Sequence, residues 1–198
     1  SKFISAKELG ISIPKTINVK GSLKKEAIGF STSSELEIPE GIVKLNGNFQ
    51  SEPLLKYAID LEVNSLQLGE LFQNPEVGNL SLRLSSKGEG ESINDFSAEL
   101  TSTIDSLRWN MYTFSGLQIE GVLKKGKGDV KFDYSDENLQ MELVSELELD
   151  SVSSKVDLIF DLKGIRTQNL GLTDKDLKAK VLANLQFEGN STRFEFDA

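Results

Sequence analysis

Histidine and cysteine are both absent from this chain of 198 residues. The absence of imidazole excludes every catalytic scheme that relies on a histidine base, and it removes the commonest transition-metal ligand. The absence of thiols excludes a disulfide framework. Proline is scarce, since the chain has four prolines and the last is Pro75. The later part of the chain is therefore free of the residue that interrupts strand pairing.

Positive charge and long apolar runs are also scarce. The chain has 22 Lys and Arg against 31 Asp and Glu, a net charge of −9. This balance argues against a nucleic-acid partner and gives no general attraction to anionic lipid surfaces. No apolar run approaches the roughly 20 residues that a membrane-spanning helix needs. Because the last residues, FEFDA, still alternate, we expect the chain to be an internal piece of a longer protein.

Alternation of apolar and polar residues is the dominant pattern that is present. It is clearest between Tyr57 and Val63, where every second residue is apolar. Side chains of a strand point to opposite faces with a period of two, so this segment predicts a half-buried strand. The spacing then changes to that of one helical turn, in Leu68, Leu71 and Phe72. We expect this turn to end at Asn74-Pro75.

About a dozen further segments alternate in the same way and are joined by short turns. One of them contains Leu107, Trp109, Met111 and Phe114, and it predicts a strand of its own after the strand of Ala98, Leu100 and Ile104. The sequence therefore predicts an all-β fold, an antiparallel or mixed sheet with almost no helix. No catalytic group interrupts this pattern.

The chain also resembles itself at a distance of about 100 residues. Residues 17–25 match 117–125, residues 57–63 match 155–161, and Leu68-Gly69 recurs as Leu170-Gly171. Such a period predicts stacked units, at about 15–110 and 115–198. No Pro-, Ser- or Gly-rich linker separates them. We therefore expect residues 1–198 to form a single continuous domain.

Clusters of acidic residues are the first candidates for chemistry. Asp157 and Asp161 could form a carboxylate pair, but at this spacing they share the solvent face of a strand. The same interpretation applies to Glu146, Glu148 and Asp150. Residues 133–138, DYSDEN, could contact Ca²⁺, but they lack the spacing of a calcium loop and are typical of a hairpin turn.

Glycine-rich and serine-rich segments are the second candidates. Residues 124–128, KKGKG, could hold a phosphate, but no Walker spacing follows and a hairpin loop is favoured. No serine has an activating base in the sequence. We therefore predict that the chain is not an enzyme and has no cofactor and no metal site.

The order of these segments along the chain resembles that of a known family. IPKTINVKGSLKK, IVKLNGNFQ, YAIDLEVNSLQLGELF and VGNLSLRLSSKGEG, followed by a second series that ends in VDLIFDLKGIRTQNLGL, resemble the AsmA-like repeats of the TamB family, the translocation and assembly module of Gram-negative envelopes. The likeness covers almost all of the chain after about residue 13. It rests on patterns of strand, turn and glycine, not on catalytic signatures.

The resemblance implies a "β-taco", a long sheet folded lengthwise around an apolar groove. It implies a periplasmic location within a protein anchored in the inner membrane, and a partner that is an outer-membrane barrel of the TamA or BamA type. It also implies phospholipid passage across the periplasm or help in outer-membrane protein assembly. Acyl chains or unfolded β-strands of client proteins would then lie in the groove.

The apolar members of the strands are the candidate groove residues. We predict that ten of them line the groove: Ile59, Leu61, Val63, Leu82, Leu84, Leu100, Leu143, Leu147, Leu158 and Phe160. The alternative is that the apolar face is the closed core of a sandwich and that the chain is a structural spacer or interaction module without a ligand. Periodicity alone does not separate the two.

Overall fold

A computed structural model describes residues 12, 14–189 and 194–197 of the chain. These residues form an almost entirely antiparallel β-structure with one short helix, which confirms the predicted all-β fold. The elements are β1 Asn18–Lys25, β2 Gly29–Ile38, β3 Gly41–Gln50, β4 Leu55–Gln67, α1 Leu68–Phe72, β5 Val77–Gly90, β6 Ser97–Trp109, β7 Tyr112–Phe114, β8 Leu117–Lys124, β9 Lys127–Ser135, β10 Leu139–Glu148, β11 Ser154–Arg166, β12 Lys178–Gly189 and β13 Phe194–Asp197.

All strands belong to one open, curled sheet. Each strand pairs with the next along the chain, except that the short β7 pairs only with β6 and β8 takes the place beside β6. β1 and β13 are the two edges of this order. Twelve strands at the usual spacing of about 4.8 Å extend about 50 Å along the curved sheet.

The sheet leaves much of its surface uncovered. The chain exposes 13343 Å² to solvent, whereas a compact monomer of this mass exposes about 9,300 Å². The excess is expected for a single curled layer, because neither face is sealed by a second layer along its whole length. The architecture therefore differs from a two-layer sandwich.

The connections between strands alternate between the two ends of the strands. We call the end with the β2–β3, β4–β5, β9–β10 and β11–β12 connections the upper rim. The opposite end, with the β1–β2, β3–β4, β5–β6, β8–β9 and β10–β11 connections, is the lower rim. This alternation follows from the antiparallel pairing of successive strands.

One predicted strand boundary is wrong. β6 runs without interruption from Ser97 to Trp109, and the chain then reverses at Asn110 and Met111, where Asn110 has a φ of 52°. The short β7 returns along β6 from Tyr112. Met111 keeps the phase of Leu107 and Trp109, so the sequence pattern did not reveal that the chain reverses there.

Two longer connections occupy the upper rim. The predicted helical turn is confirmed as α1, between β4 and β5, and residues 167–177 connect β11 and β12. The pairing register shifts between Val63 and Leu66 before the first connection, and between Leu162 and Ile165 before the second. β4 and β11 are six places apart in the sheet order. The repeat of about 100 residues stays a prediction, and this spacing is consistent with it.

The buried core is small and lies to one side. Among the described residues, the cluster of buried apolar side chains consists of Leu117, Tyr134, Leu139 and Leu170. Half-buried side chains of β6 to β11 pack around it. The cluster lies at the upper rim of the later strands. Leu117 and Leu139 begin strands there, Tyr134 is the last residue but one of β9, and Leu170 belongs to the connection between β11 and β12.

Candidate functional site: the inner face

Four rows of side chains cross one face of the sheet, which we call the inner face. Within a row, residues of neighbouring strands are direct partners in the pairing register and therefore lie on the same side. We name the rows after their members on β4, in the order Val63, Leu61, Ile59 and Tyr57 from the upper to the lower rim.

The rows run from the early strands to the late ones. The Val63 row contains Val43, Val63, Leu82, Ile104 and Leu117, and the Leu61 row contains Leu45, Leu61, Leu84, Ser102, Ile119, Phe132, Leu143 and Phe160. The Ile59 row contains Ile59, Ser86, Leu100, Gly121, Val130, Ser145, Leu158 and Leu185, and the Tyr57 row contains Phe49, Tyr57, Gly88, Ala98, Leu123, Gly128, Leu147 and Val156.

The sheet places all ten predicted groove residues on this inner face. Two lie in the Val63 row, four in the Leu61 row, three in the Ile59 row and one, Leu147, in the Tyr57 row. Ile59 and Leu158 are about a hundred residues apart in sequence, yet an unbroken series of register partners joins them.

The inner face is only half-buried. Nine of the ten residues have intermediate exposure, and Val63 alone is buried, at 6%. No described side chain is completely buried. A closed sandwich would bury these rows against a second sheet at about 10 Å. The exposure therefore argues against a fully packed core.

Aromatic rings cover the lower-rim side of the inner face in the early strands. Phe30 and Phe49 stack with their ring centroids 4.8 Å apart, and Tyr57 stacks on Phe96 at 6.1 Å. The Tyr57 ring lies over Gly88, where an added Cβ would come within 2.7 Å of the ring. Glycine at this position lets the ring lie flat on the sheet, so the surface stays smooth and apolar.

A polar cluster closes the upper rim of the later strands. Asp136 accepts hydrogen bonds from the hydroxyls of Tyr112 and Tyr134 and from the backbone N–H groups of Asn138 and Leu139. Burial by itself raises the pKa of Asp136, but these donated hydrogen bonds outweigh it, so its pKa is lowered. Burial, followed by the hydrogen bond to Asp136, raises the pKa of Tyr112 and of Tyr134.

This cluster explains the segment 133–138. Its first three residues end β9, and residues 136–138 form the predicted hairpin turn to β10, which Asp136 organises through its bonds to two following N–H groups. No group of three or more acidic side chains that could hold a metal ion occurs in the described part of the chain. The contribution of Tyr112 was not predicted, because it lies 24 residues before Asp136.

The outer face carries the charged side chains. Nine ion pairs lie between described residues, and most join neighbouring strands, such as Arg83–Asp105 at 2.6 Å. Asp157 and Asp161 lie on this face as predicted, opposite Glu146 and Glu142 in the pairing register. Exposed pairs of this kind contribute little to stability.

One acidic residue differs from its prediction. Asp150 does not continue the solvent face of β10, which ends at Glu148. It lies in the following loop, where its carboxylate accepts a hydrogen bond of 2.6 Å from the side chain of Asn94. The alternation predicted a longer strand because Leu149 and Asp150 keep its phase.

Three loops meet at the lower rim near Gly126. Lys125 and Gly126 form the two-residue turn of the predicted hairpin, with φ values of 50° and 76°. The N–H of Gly126 donates to the carbonyl of Phe96, and the N–H of Leu149 donates to the carbonyl of Gly126. The hydrogen bond between Asn94 and Asp150 joins the two outer loops above this turn. We call this arrangement the lower-rim bridge.

The described residues contain no helix that is long and apolar enough to cross a membrane. Comparison with protein-family models, with curated proteins and with solved structures finds no match for this chain.

Proposed function

We propose that the inner face is a groove for hydrocarbon cargo. The chain would be a non-enzymatic, periplasmic segment of a TamB-like envelope protein. The groove would carry phospholipid acyl chains between the inner and outer membranes, or shield unfolded β-strands of outer-membrane proteins during assembly. The full-length protein would be anchored in the inner membrane and would contact a barrel of the TamA or BamA type.

The observation that carries this proposal is the continuous, half-buried inner face. An apolar surface of this extent is uncommon on a monomer unless it binds something. Each Å² of apolar surface that cargo removes from water stabilises the complex by about 25 cal/mol. Transport needs a continuous apolar wall and modest affinity at each point, so it requires no catalytic residue.

The length of the sheet suits such cargo. One leaflet accounts for about half of the roughly 30 Å hydrocarbon core of a bilayer. The twelve strands extend about 50 Å along the curve, so several acyl chains could lie end to end on the rows. The outer face, with its ion pairs, stays in water while the inner face holds the chains.

The test compares inner-face and outer-face substitutions on the same two strands. Leu143→Glu with Leu158→Glu puts two charges on the inner face, whereas Val144→Glu with Ile159→Glu puts them on adjacent outer-face positions that pair directly. Each protein is purified from a Gram-negative host, and its extracted lipids are quantified by mass spectrometry. We expect the inner-face variant to lose at least about nine-tenths of the bound phospholipid and the outer-face variant to retain it.

Circular dichroism must show that both variants keep the β-fold. If the Glu variant does not fold, Leu143→Thr with Leu158→Thr replaces it, because threonine keeps a high β-propensity. Equal phospholipid content in folded inner-face and outer-face variants would contradict the proposal.

The second candidate is a structural spacer that holds no cargo. The cluster around Leu117 and Tyr134 favours it locally, because there the groove is filled by the protein's own side chains. A spacer would contain no lipid in the extraction above. It would also not increase the fluorescence of a hydrophobic dye, whereas an open groove would.

A further inference from the structure

The connection between β11 and β12 is a compact unit. The hydroxyl of Thr167 is hydrogen-bonded to that of Thr173 at 2.6 Å and donates to the carbonyl of Lys175 at 3.1 Å. The side chain of Gln168 donates to the carbonyl of Asp174 at 3.2 Å. These bonds lie within residues 167–177, so the connection can keep its shape when its contacts with the sheet change.

Two side chains dock this unit on the rest of the molecule. Leu170 is 3% exposed and belongs to the buried cluster, whereas Leu172 in the same unit is 53% exposed. The amide of Asn169 donates to the side-chain oxygen of Asn138 at 2.6 Å. Among the described side chains of this unit, Leu170 and Asn169 thus join it to the rest of the molecule, by one buried apolar contact and one hydrogen bond.

The place that Leu170 occupies belongs to the groove. Leu117 is a member of the Val63 row, and Tyr134 and Met141 continue that side of the inner face on β9 and β10. Leu170 comes from a connection and not from a strand, so it lies over the rows as a hydrocarbon cargo would. In the early strands the corresponding connection, α1, has no buried residue.

We propose that Leu170 is a stopper that fills an alkyl-chain subsite formed by Leu117, Tyr134 and Leu139. A hydrocarbon chain that enters the subsite displaces Leu170, and residues 167–177 move outward as a unit. This inference rests on the proposed function, since it assumes that the inner face binds alkyl chains. The apparent affinity of the subsite is its intrinsic affinity multiplied by the fraction of time for which Leu170 is displaced.

The fluorescence of Trp109 can report on this subsite. It is the single tryptophan, and its neighbour Asn110 lies beside Gly171, whose added Cβ would be 3.7 Å from the Cβ of Asn110. The probe is hexadecanoic acid, titrated into the purified, delipidated chain. We expect Leu170→Ala to bind it at least about tenfold more tightly than the wild type, the factor for a stopper that is seated for at least about nine-tenths of the time. Leu172→Ala, in the same connection, should leave the affinity unchanged.

A second variant holds the stopper in place. The chain has no cysteine, so Asn138→Cys with Asn169→Cys introduces the only thiols, at two side chains that are already in contact. The oxidised form is expected to bind hexadecanoic acid at the subsite at least about tenfold more weakly than the wild type, as reported by Trp109 fluorescence. Reduction should restore the wild-type affinity. If the disulfide does not form, a short thiol-reactive cross-linker serves the same purpose.

The outcomes separate the stopper from the groove. Equal or weaker binding by folded Leu170→Ala, relative to the wild type, would overturn the stopper. Lipid in the extraction experiment without any response of Trp109 in any variant would also overturn it, while the groove stands. If no lipid is extracted and no variant binds hexadecanoic acid, both proposals fail.

Discussion

The early strands β1–β5 and the late strands β6–β12 share one pattern and differ at their rims. In the early strands, the described rim hydrogen bonds that involve a side chain join adjacent strands, such as the one from the N–H of Ser65 to the hydroxyl of Ser81. In the late strands such hydrogen bonds also link separate hairpins and connections, at the lower-rim bridge and around Asp136. The connection there also inserts Leu170 into the inner face. Strand pattern therefore determines that a groove exists, and the connections determine where it is filled.

The largest expected effect tests the lower-rim bridge. At Gly126 an added Cβ would lie 2.8 Å from the carbonyl oxygen of Leu149 and 3.0 Å from that of Asn94, with φ at 76°. Gly126→Ala should lower the free energy of unfolding by about 3 kcal/mol or more, from backbone strain and the clash together. Urea unfolding measures it.

Gly116 provides the matched control for this substitution. It has a similar φ of 74°, but an added Cβ would meet no atom within 4 Å. Gly116→Ala should therefore cost only the backbone strain, about 1 kcal/mol. Equal losses at the two glycines would show that the contacts of the bridge contribute nothing.

A somewhat smaller effect compares the two leucines of the connections. Leu170→Ala removes a buried side chain and should destabilise the late strands by about 2–3 kcal/mol. Leu68→Ala removes a half-buried one in α1 and should cost about 1 kcal/mol or less. Native-state hydrogen exchange locates each loss, in β8–β11 for the first variant and in β4–β5 for the second. Exchange that rises equally throughout the sheet in both variants would contradict the difference between the two regions.

The next effect is a pH dependence of the free energy of unfolding, which arises in the late strands. The pKa of Asp136 is lowered in the folded chain, so its contribution is present above the carboxyl's unfolded value, about 3.9, and is lost as the pH falls through the folded value. Asp136→Asn should remove about 1 kcal/mol at neutral pH and flatten the acid limb of the stability curve. Urea unfolding from pH 6 to pH 2 tests this. A wild-type and a variant curve that stay parallel would contradict it.

The cluster around Asp136 should also make the stability of the late strands depend on pH in the alkaline range. The pKa values of Tyr112 and Tyr134 are raised by burial and by the bond to Asp136. Their contribution is therefore present below about 10, the unfolded value, and is lost as the pH rises through the folded values. Tyrosinate absorbance should show two tyrosines that ionise later than a free tyrosine.

The smallest expected effect concerns the outer face. Replacing Arg83 by Met removes the ion pair with Asp105 at 2.6 Å, but both groups are exposed to solvent. The change in unfolding free energy should lie within experimental error and should not depend on salt, since exposed pairs are screened. A clear loss would show that the outer face contributes to the difference between the two regions.

The strands and the inner face could be predicted from the sequence because their signal is local. A period of two places Leu61 and Val63 on one face without knowledge of any partner. The same locality explains the errors. The turn at Asn110 and the loop at Asp150 keep the phase of the strands before them, so the alternation does not show where those strands end.

The rim contacts could not be predicted because they join distant residues. Asn94 and Asp150 are 56 residues apart, and Asn138 and Asn169 are 31 apart. In the sequence Leu170 is only half of a repeated Leu-Gly pair, and this pair does not distinguish a buried leucine from the half-buried Leu68. Burial of a loop residue depends on how far the sheet curls, and no local pattern encodes the curl.

The most direct test of the central claim uses a photo-reactive side chain at one of two adjacent positions. Leu84 belongs to the Leu61 row of the inner face, and Ser85 follows it on the outer face. A benzophenone amino acid is placed at either position in the chain, which is then irradiated in the periplasm of living cells. We expect phospholipid adducts, or adducts to unfolded outer-membrane proteins, at position 84 and almost none at position 85. Equal yields at the two positions would contradict it.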